Sequence, residues 1–294
     1  MDQKANDRRS VWMIVSSMLI FGTIGVFRRY IPVSSAFLAC SRGIIGGLCI
    51  LAFAALRHRN VKEKIPTRTL LGLIVSGMMI GVNWMLLFEA YNHTTVAVAT
   101  LCYYMQPTIV ILLSPVVFRE RLTGKKAVCA AIAIAGMVLV SGVAGEGGSR
   151  GGDPKGVLLG LGAAVLYSAV IIMNKKIPGV DAFRKTTVHL LSAGIVMIPY
   201  ILLTEEFSGG FSASAAVLLA VVGIVHTGIA YVLYFGSMDG LRAQSVALLS
   251  YIDPVAALLF SALLLREPLS AAGIVGAAMI IGSAVISEIR ERGK

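Results

Sequence analysis

Charge is what this chain has least of. Asp, Glu, Lys and Arg make up 14% of its 294 residues, where a soluble domain carries roughly a quarter. That scarcity excludes an ordinary water-soluble globule. Acids are rarer than bases, 15 against 26, and the formal net charge is +11. A basic balance invites a nucleic-acid partner, but the cations sit in short loops between apolar runs and build no continuous face, so none is expected. Cysteine is limited to Cys40, Cys49, Cys102 and Cys129, all inside apolar runs. They give no disulfide framework and no metal spacing. His58, His93, His189 and His226 are equally scattered, so neither a metal nor another cofactor is expected. No Walker-type phosphate loop occurs, and the length leaves no room for an ATPase domain. No nucleophile–base pair stands at depth, which argues against an enzyme such as a membrane-embedded lipid hydrolase.

What the chain has in abundance is apolar sequence: 57% of its residues, with a mean hydropathy of +0.83. The alternation of a β-barrel is absent. The apolar residues fall in runs at 11–30, 34–56, 69–90, 94–118, 125–143, 156–174, 184–203, 213–236, 243–265 and 270–288. Runs of about 20 residues cross a hydrocarbon core of about 30 Å as helix. The expected class is an all-α membrane protein with ten transmembrane helices. The first run follows a basic N-terminus as a signal peptide would, but no convincing cleavage site precedes Arg28-Arg29, so an uncleaved helix is expected.

Lys and Arg in the loops orient these spans. Of the 26, Arg28, Arg29, Arg150, Lys155 and Arg266 fall on one face and Arg42 falls inside a span. All the others fall on the opposite face. The positive-inside rule then places both termini in the cytoplasm, in an inner (plasma) membrane.

The chain also repeats itself. Tyr104-Met105-Gln106-Pro107 matches Tyr251-Ile252-Asp253-Pro254, and Arg119-Glu120-Arg121-Leu122 matches Arg266-Glu267-Pro268-Leu269, at one separation of 147 residues. No gap is needed between Gly81/Gly228 and Val138/Val285. Arg28-Arg29-Tyr30-Ile31-Pro32 resembles Asn174-Lys175-Lys176-Ile177-Pro178 more loosely. The expected halves are residues 1–143 and 156–294, joined by a glycine-rich linker at 144–155. Five spans in each half is an odd number, so the second half must enter the membrane upside down. Such inverted repeats are the signature of transporter cores.

Five plus five helices with this repeat resemble the EamA-type members of the drug/metabolite transporter superfamily. The resemblance covers nearly the whole chain. It is carried by Ala90 through Ala97 and Pro107 to Glu120 and Gly136, and by its echo from Ala247 through Pro254 to Glu267 and Gly282. Arg42 after Ala39, Phe21-Gly22 and Tyr167-Ser168 also fit. The chain departs from its own symmetry at Gln106, where the second copy has Asp253. The resemblance implies a small-molecule substrate bound between the third, fourth, eighth and ninth helices, with the first and sixth as walls. It implies alternating access by rocking one repeat against the other, acting as a secondary transporter or facilitator of small metabolites, amino acids among them. A multidrug or other metabolite exporter of the same fold, and a non-transporting membrane partner protein, remain open, as does a homodimer. The partners expected are the lipid bilayer, the substrate and a proton.

Several residues stand out for their depth. Pro107 and Pro254 fall near the middle of the fourth and ninth spans, where proline removes a backbone donor. Paired breaks at matching repeat positions point to a midplane site; the competing reading is a packing kink. Asp253 lies half-way through a span, where a carboxylate costs about 3 kcal/mol or more. It is a candidate proton carrier or else a paired structural acid. Arg42 offers a fork for a substrate carboxylate or satisfies helix carbonyls. Glu89, at the outer end of the third span, is a candidate gate with Arg28 and Arg29. Asn83, Trp84, Tyr103, Tyr104, Tyr167, His226, Tyr231 and Tyr251 form a polar and aromatic set at mid-depth. Such residues line an amphipathic cavity, although aromatics in membrane helices are often packing residues.

Overall fold

The computed structural model describes residues 3–28, 30–56, 65–94, 96–140, 154–177, 179–204, 212–266 and 270–288. Arg29, Pro178, Glu267, Pro268, Leu269 and linker residues 144–153 lie outside them, as does the Arg28 side chain. Among the described residues every regular element is a helix. Those from the first half are α1 (Gln3–Gly22), α2 (Ile24–Arg28), α3 (Ser35–Leu56), α4 (Thr67–His93), α5 (Val96–Tyr103), α6 (Gln106–Phe118) and α7 (Gly124–Val140). The second half adds α8 (Pro154–Lys175), α9 (Ala182–Thr204), α10 (Ala213–Val221), a π-helix (Val222–Ile229), α11 (Ala230–Ser237), α12 (Ala243–Ser250), α13 (Ile252–Leu265) and α14 (Ala271–Glu288). Because α8 starts at Pro154, the last two residues of the expected linker belong to it.

Among the described residues eight spans are long and apolar enough to cross a membrane: Asp7–Phe27, Ser35–Leu56, Thr67–His93, Val98–Phe118, Pro154–Lys175, Ala182–Thr204, Ala213–Ser237 and Ala243–Leu265. The fifth and tenth expected runs are the shorter α7, of 17 residues, and α14, of 18. These two pack on each other. A Cβ on Gly136 of α7 would stand 2.7 Å from the Gly276 carbonyl of α14, so bare backbone sets their spacing. Large apolar side chains such as Leu56, Val116 and Leu203 face outward and exposed, as they do where lipid is the solvent.

Four of the expected runs are not continuous α-helix. The first turns at Thr23, between α1 and α2. The fourth is interrupted at Tyr104 and Met105 and the ninth at Tyr251, each just before its proline. Proline at the start of a helix wastes no donor, so each restarts there. The eighth runs through the π-helix. Gly77 and Gly81 in α4 have counterparts in Gly223 and Gly228, which stand one residue further apart. Gly77 and Gly81 meet α9 backbone, Gly223 and Gly228 meet Ile45 and Ile50 of α3. A wider turn absorbs the extra residue and keeps both glycines on the α3 side. Thr227 Oγ1 donates to the Val222 carbonyl five residues back, at 3.0 Å.

The halves are not separate bodies. α4 packs on α8 and α9, α3 on α9 and the π-helix, α1 on α11 and α13, and α6 on α8 and α12. These contacts exchange in pairs under the repeat: third span with seventh, eighth with second; first with ninth, sixth with fourth. The protein's core is therefore the interface between repeats. Arg119 and Arg266, at matching positions, both cap their helices in the left-handed region, at φ 56° and 57°. A non-glycine residue there carries strain, and the turn it makes ends the helix sharply.

Candidate functional site

The two broken helices face each other, and their breaks exchange side chains. The Tyr104 hydroxyl donates to Asp253 Oδ2 at 2.8 Å. The Tyr251 hydroxyl and Thr108 Oγ1 lie 2.8 Å apart. Each tyrosine thus reaches across to the other repeat. Asp253 sits in the first turn of α13, where the helix dipole favours an acid. Behind the first break, Ser168 Oγ donates to the Gln106 carbonyl at 3.0 Å, tying the start of α6 to α8.

A cation stands on the other side of the same space. The Arg42 guanidinium, from α3, lies over the Trp84 ring of α4, 4.4 Å from its centroid. Its Nε is buried without a hydrogen-bond partner. Tyr231 stands edge-on to Tyr234 at 6.4 Å and tilted against Phe235 at 5.5 Å. Aromatic rings fill the wall between: Tyr103 edge-on to Tyr104 at 5.6 Å, Tyr103 and Tyr167 at 6.0 Å, Tyr167 stacked on Tyr234 at 6.4 Å. Phe21 closes the set against Tyr231 at 5.0 Å. Arg42, Tyr103, Tyr104 and Asp253 keep partial exposure, while Trp84, Tyr167, Tyr231 and Tyr251 are buried behind them. The result is a fixed cation and a carboxylate at two sides of an aromatic chamber.

The structure thus gathers Arg42, Trp84, Tyr103, Tyr104, Tyr167, Tyr231, Tyr251 and Asp253, with Pro107 and Pro254 at the helix restarts. It sets three expected residues apart. Asn83 is fully buried, and its Nδ2 donates to the Ala163 carbonyl at 2.6 Å. This bond ties α4 to α8, while Asn83 Oδ1 is buried without a hydrogen-bond partner. His226, on the π-helix, has Nε2 2.8 Å from Thr23 Oγ1 at the turn between α1 and α2, and meets the Phe27 ring edge-on. Glu89 pairs with His93 at 3.0 Å and accepts from Asn92 at 3.1 Å, both within its own helix. His189 is buried against Phe235 at 4.7 Å. Among the described residues no group of three or more His, Cys, Asp or Glu is placed to hold a metal.

Thr108 and Tyr234 were passed over in the sequence, and Ser168 was named only as part of the family resemblance. Thr108 and Ser168 are hydroxyls beside Pro107 and Tyr167, and that adjacency was the available signal. Tyr234 had none, since its repeat counterpart is Leu87.

Comparison with known proteins agrees with this architecture. The pattern of the EamA-like transporter family matches residues 8–142 and again 154–288. The uncharacterized transporter YxxF of Bacillus subtilis is 27% identical over 289 residues, covering 97% of this chain and 91% of that one. An uncharacterized transporter of Archaeoglobus fulgidus is 28% identical, covering 93% and 94%. Protein PecM of Dickeya dadantii is 26% identical, covering 86% of each. A solved crystal structure superposes with a TM-score of 0.83 at 22% identity, covering 95% of this chain and 96% of that one; at this identity it shows the fold alone. With its two halves matched in turn over nearly their full length, the chain belongs to the EamA-like transporter family.

Proposed function

We propose that this protein is a secondary transporter of small zwitterionic metabolites, amino acids or close relatives. It would work by alternating access in an inner membrane, with ten spans in two inverted repeats and both termini in the cytoplasm. One observation carries the substrate class: Arg42, seated over Trp84, and Asp253, bonded to Tyr104, border one cluster of aromatic rings. A carboxylate would dock on the open fork of Arg42, an ammonium on Asp253, and an apolar side chain on the tyrosines and Trp84. Asp253 serves as the proton carrier, since an acid at this depth is functional by default. The π-helix adds support, because such turns are frequent at functional sites.

The test is flux of labelled neutral and aromatic amino acids into liposomes holding the purified protein, with and without a pH gradient. Saturable uptake above empty liposomes is expected, faster with an inward proton gradient and indifferent to it in Asp253→Asn. No uptake of any amino acid under either condition would remove this substrate class. Uptake of wild-type rate in both Trp84→Ala and Tyr251→Ala would remove the chamber.

A further inference from the structure

The turn between the eighth and ninth spans, residues 238–242, is held from three directions by side chains outside the chamber. Glu120 Oε1 accepts from the Ala243 N–H at 2.9 Å, and Oε2 from the Gln244 N–H at 3.4 Å. The carboxylate so caps α12, whose own cap residue Arg242 gives no side-chain bond. Lys175 Nζ, at the end of α8, donates to the Met238 carbonyl at 2.6 Å and to the Leu241 carbonyl. Lys185, fully buried near the start of α9, lies 3.9 Å from Asp239 Oδ1. Beneath the turn, Gln244 Nε2 donates to Ser114 Oγ at 2.7 Å.

These contacts have a common logic. Glu120 belongs to the first repeat, and the turn it holds belongs to the second. The left-handed Arg119 is what bends the chain so that Glu120 can reach α12. Two carbonyls and two N–H groups of one short turn are taken by charged groups, which form the stronger kind of hydrogen bond. Met238 and Leu241 are buried beneath the turn, and Asp239 is exposed above it. Glu120, Lys175 and Lys185 lie on the face rich in Lys and Arg.

We propose that Glu120 and Lys175, with Lys185 behind them, latch the cytoplasmic face shut by pinning this turn, and that releasing it opens the chamber to the cytoplasm. The inference rests on the proposed function and on the orientation read from loop charges. It assigns the Arg-Glu motif a gating role, distinct from substrate binding. A rocking repeat must break these bonds together, because they end on one turn.

The experiment reads accessibility, not transport. All four native cysteines are replaced and a single Ser114→Cys reporter is placed beneath the turn, where Ser114 is fully buried. Labelling by a membrane-impermeant maleimide is followed in inside-out vesicles. E120Q and K175M are each expected to raise the labelling rate about tenfold or more, the scale of one lost charge-assisted bond, and K175R to stay near the unmutated rate. A second reporter, Ala99→Cys in α5, is equally buried, against Gly160 of α8, on a helix that packs on α8 and α4; its rate should not change. Unchanged labelling at Ser114→Cys in a folded E120Q or K175M overturns the latch. An equal rise at Ala99→Cys also overturns it, since that is general loosening. Because no solute is transported in this assay, failure of every flux measurement would sink the proposed function and leave the latch standing.

Discussion

The bond from Tyr104 to Asp253 joins residues 149 apart in the chain and ties one broken helix to the other. It is 2.8 Å long and partly buried. A hydrogen bond with a charged partner contributes about 1.5–3 kcal/mol, which is roughly ten- to 150-fold in a rate or equilibrium constant. Tyr104→Phe removes the donor and leaves the carboxylate in place. Asp253→Asn keeps the shape and removes the charge. Each single change should lower kcat/KM for uptake by a factor in that range. The double variant should lose less than the sum of the two, because in Asp253→Asn the amide oxygen still accepts from Tyr104 but the charge that strengthens the bond is gone. The assay is a double-mutant cycle on initial uptake rates in liposomes, repeated on thermal midpoints in detergent. The reasoning fails if the losses add to within about 0.5 kcal/mol, the mark of independent sites.

Two further outcomes follow from the geometry. Arg42→Lys keeps the charge but loses the planar fork and the seat on Trp84; KM for a carboxylate-bearing substrate should rise about tenfold with little change in thermal stability, and an unchanged KM would take the substrate away from Arg42. Gly77→Val would place a Cβ 2.7 Å from the His189 carbonyl, so α4 and α9 must part by about 0.7 Å to reach the 3.4 Å of ordinary contact; overpacking of this kind costs about 1–3 kcal/mol. Gly282→Ala meets nothing within 4 Å and should melt like the parent, and equal midpoints for the two variants would refute this reading of the helix packing.

Composition and the repeat made the helical class and the two halves readable, because both are properties of long stretches. The breaks at Tyr104 and Tyr251 were readable for a local reason: proline cannot sit inside a helix without removing a bond. Asp253 and Arg42 were conspicuous because charge is costly at their depth. Contacts between distant residues were not readable. Nothing near Glu120 announces that it caps a helix 123 residues away, although its motif marked the repeat. Asn83 stood out by its polarity, but nothing in the sequence told that its Nδ2 takes a backbone carbonyl of α8 while its Oδ1 is buried without a partner. The π-helix escaped because hydrophobic periodicity does not record which carbonyl each N–H takes. Its trace was the glycine spacing, one residue wider in the second half.

That single residue has an energetic consequence. A protein made of two identical inverted halves would pass between states of equal energy related by a two-fold rotation, since turning it over would regenerate the same molecule. Here α4 is regular where its counterpart carries a π turn, and Gln106 stands where its counterpart is Asp253. Both differences fall on the path between the two faces, one of them next to the aromatic wall. On the proposed alternating-access cycle they lift the degeneracy, and the bias between its two sides is written into one half of a duplicated sequence.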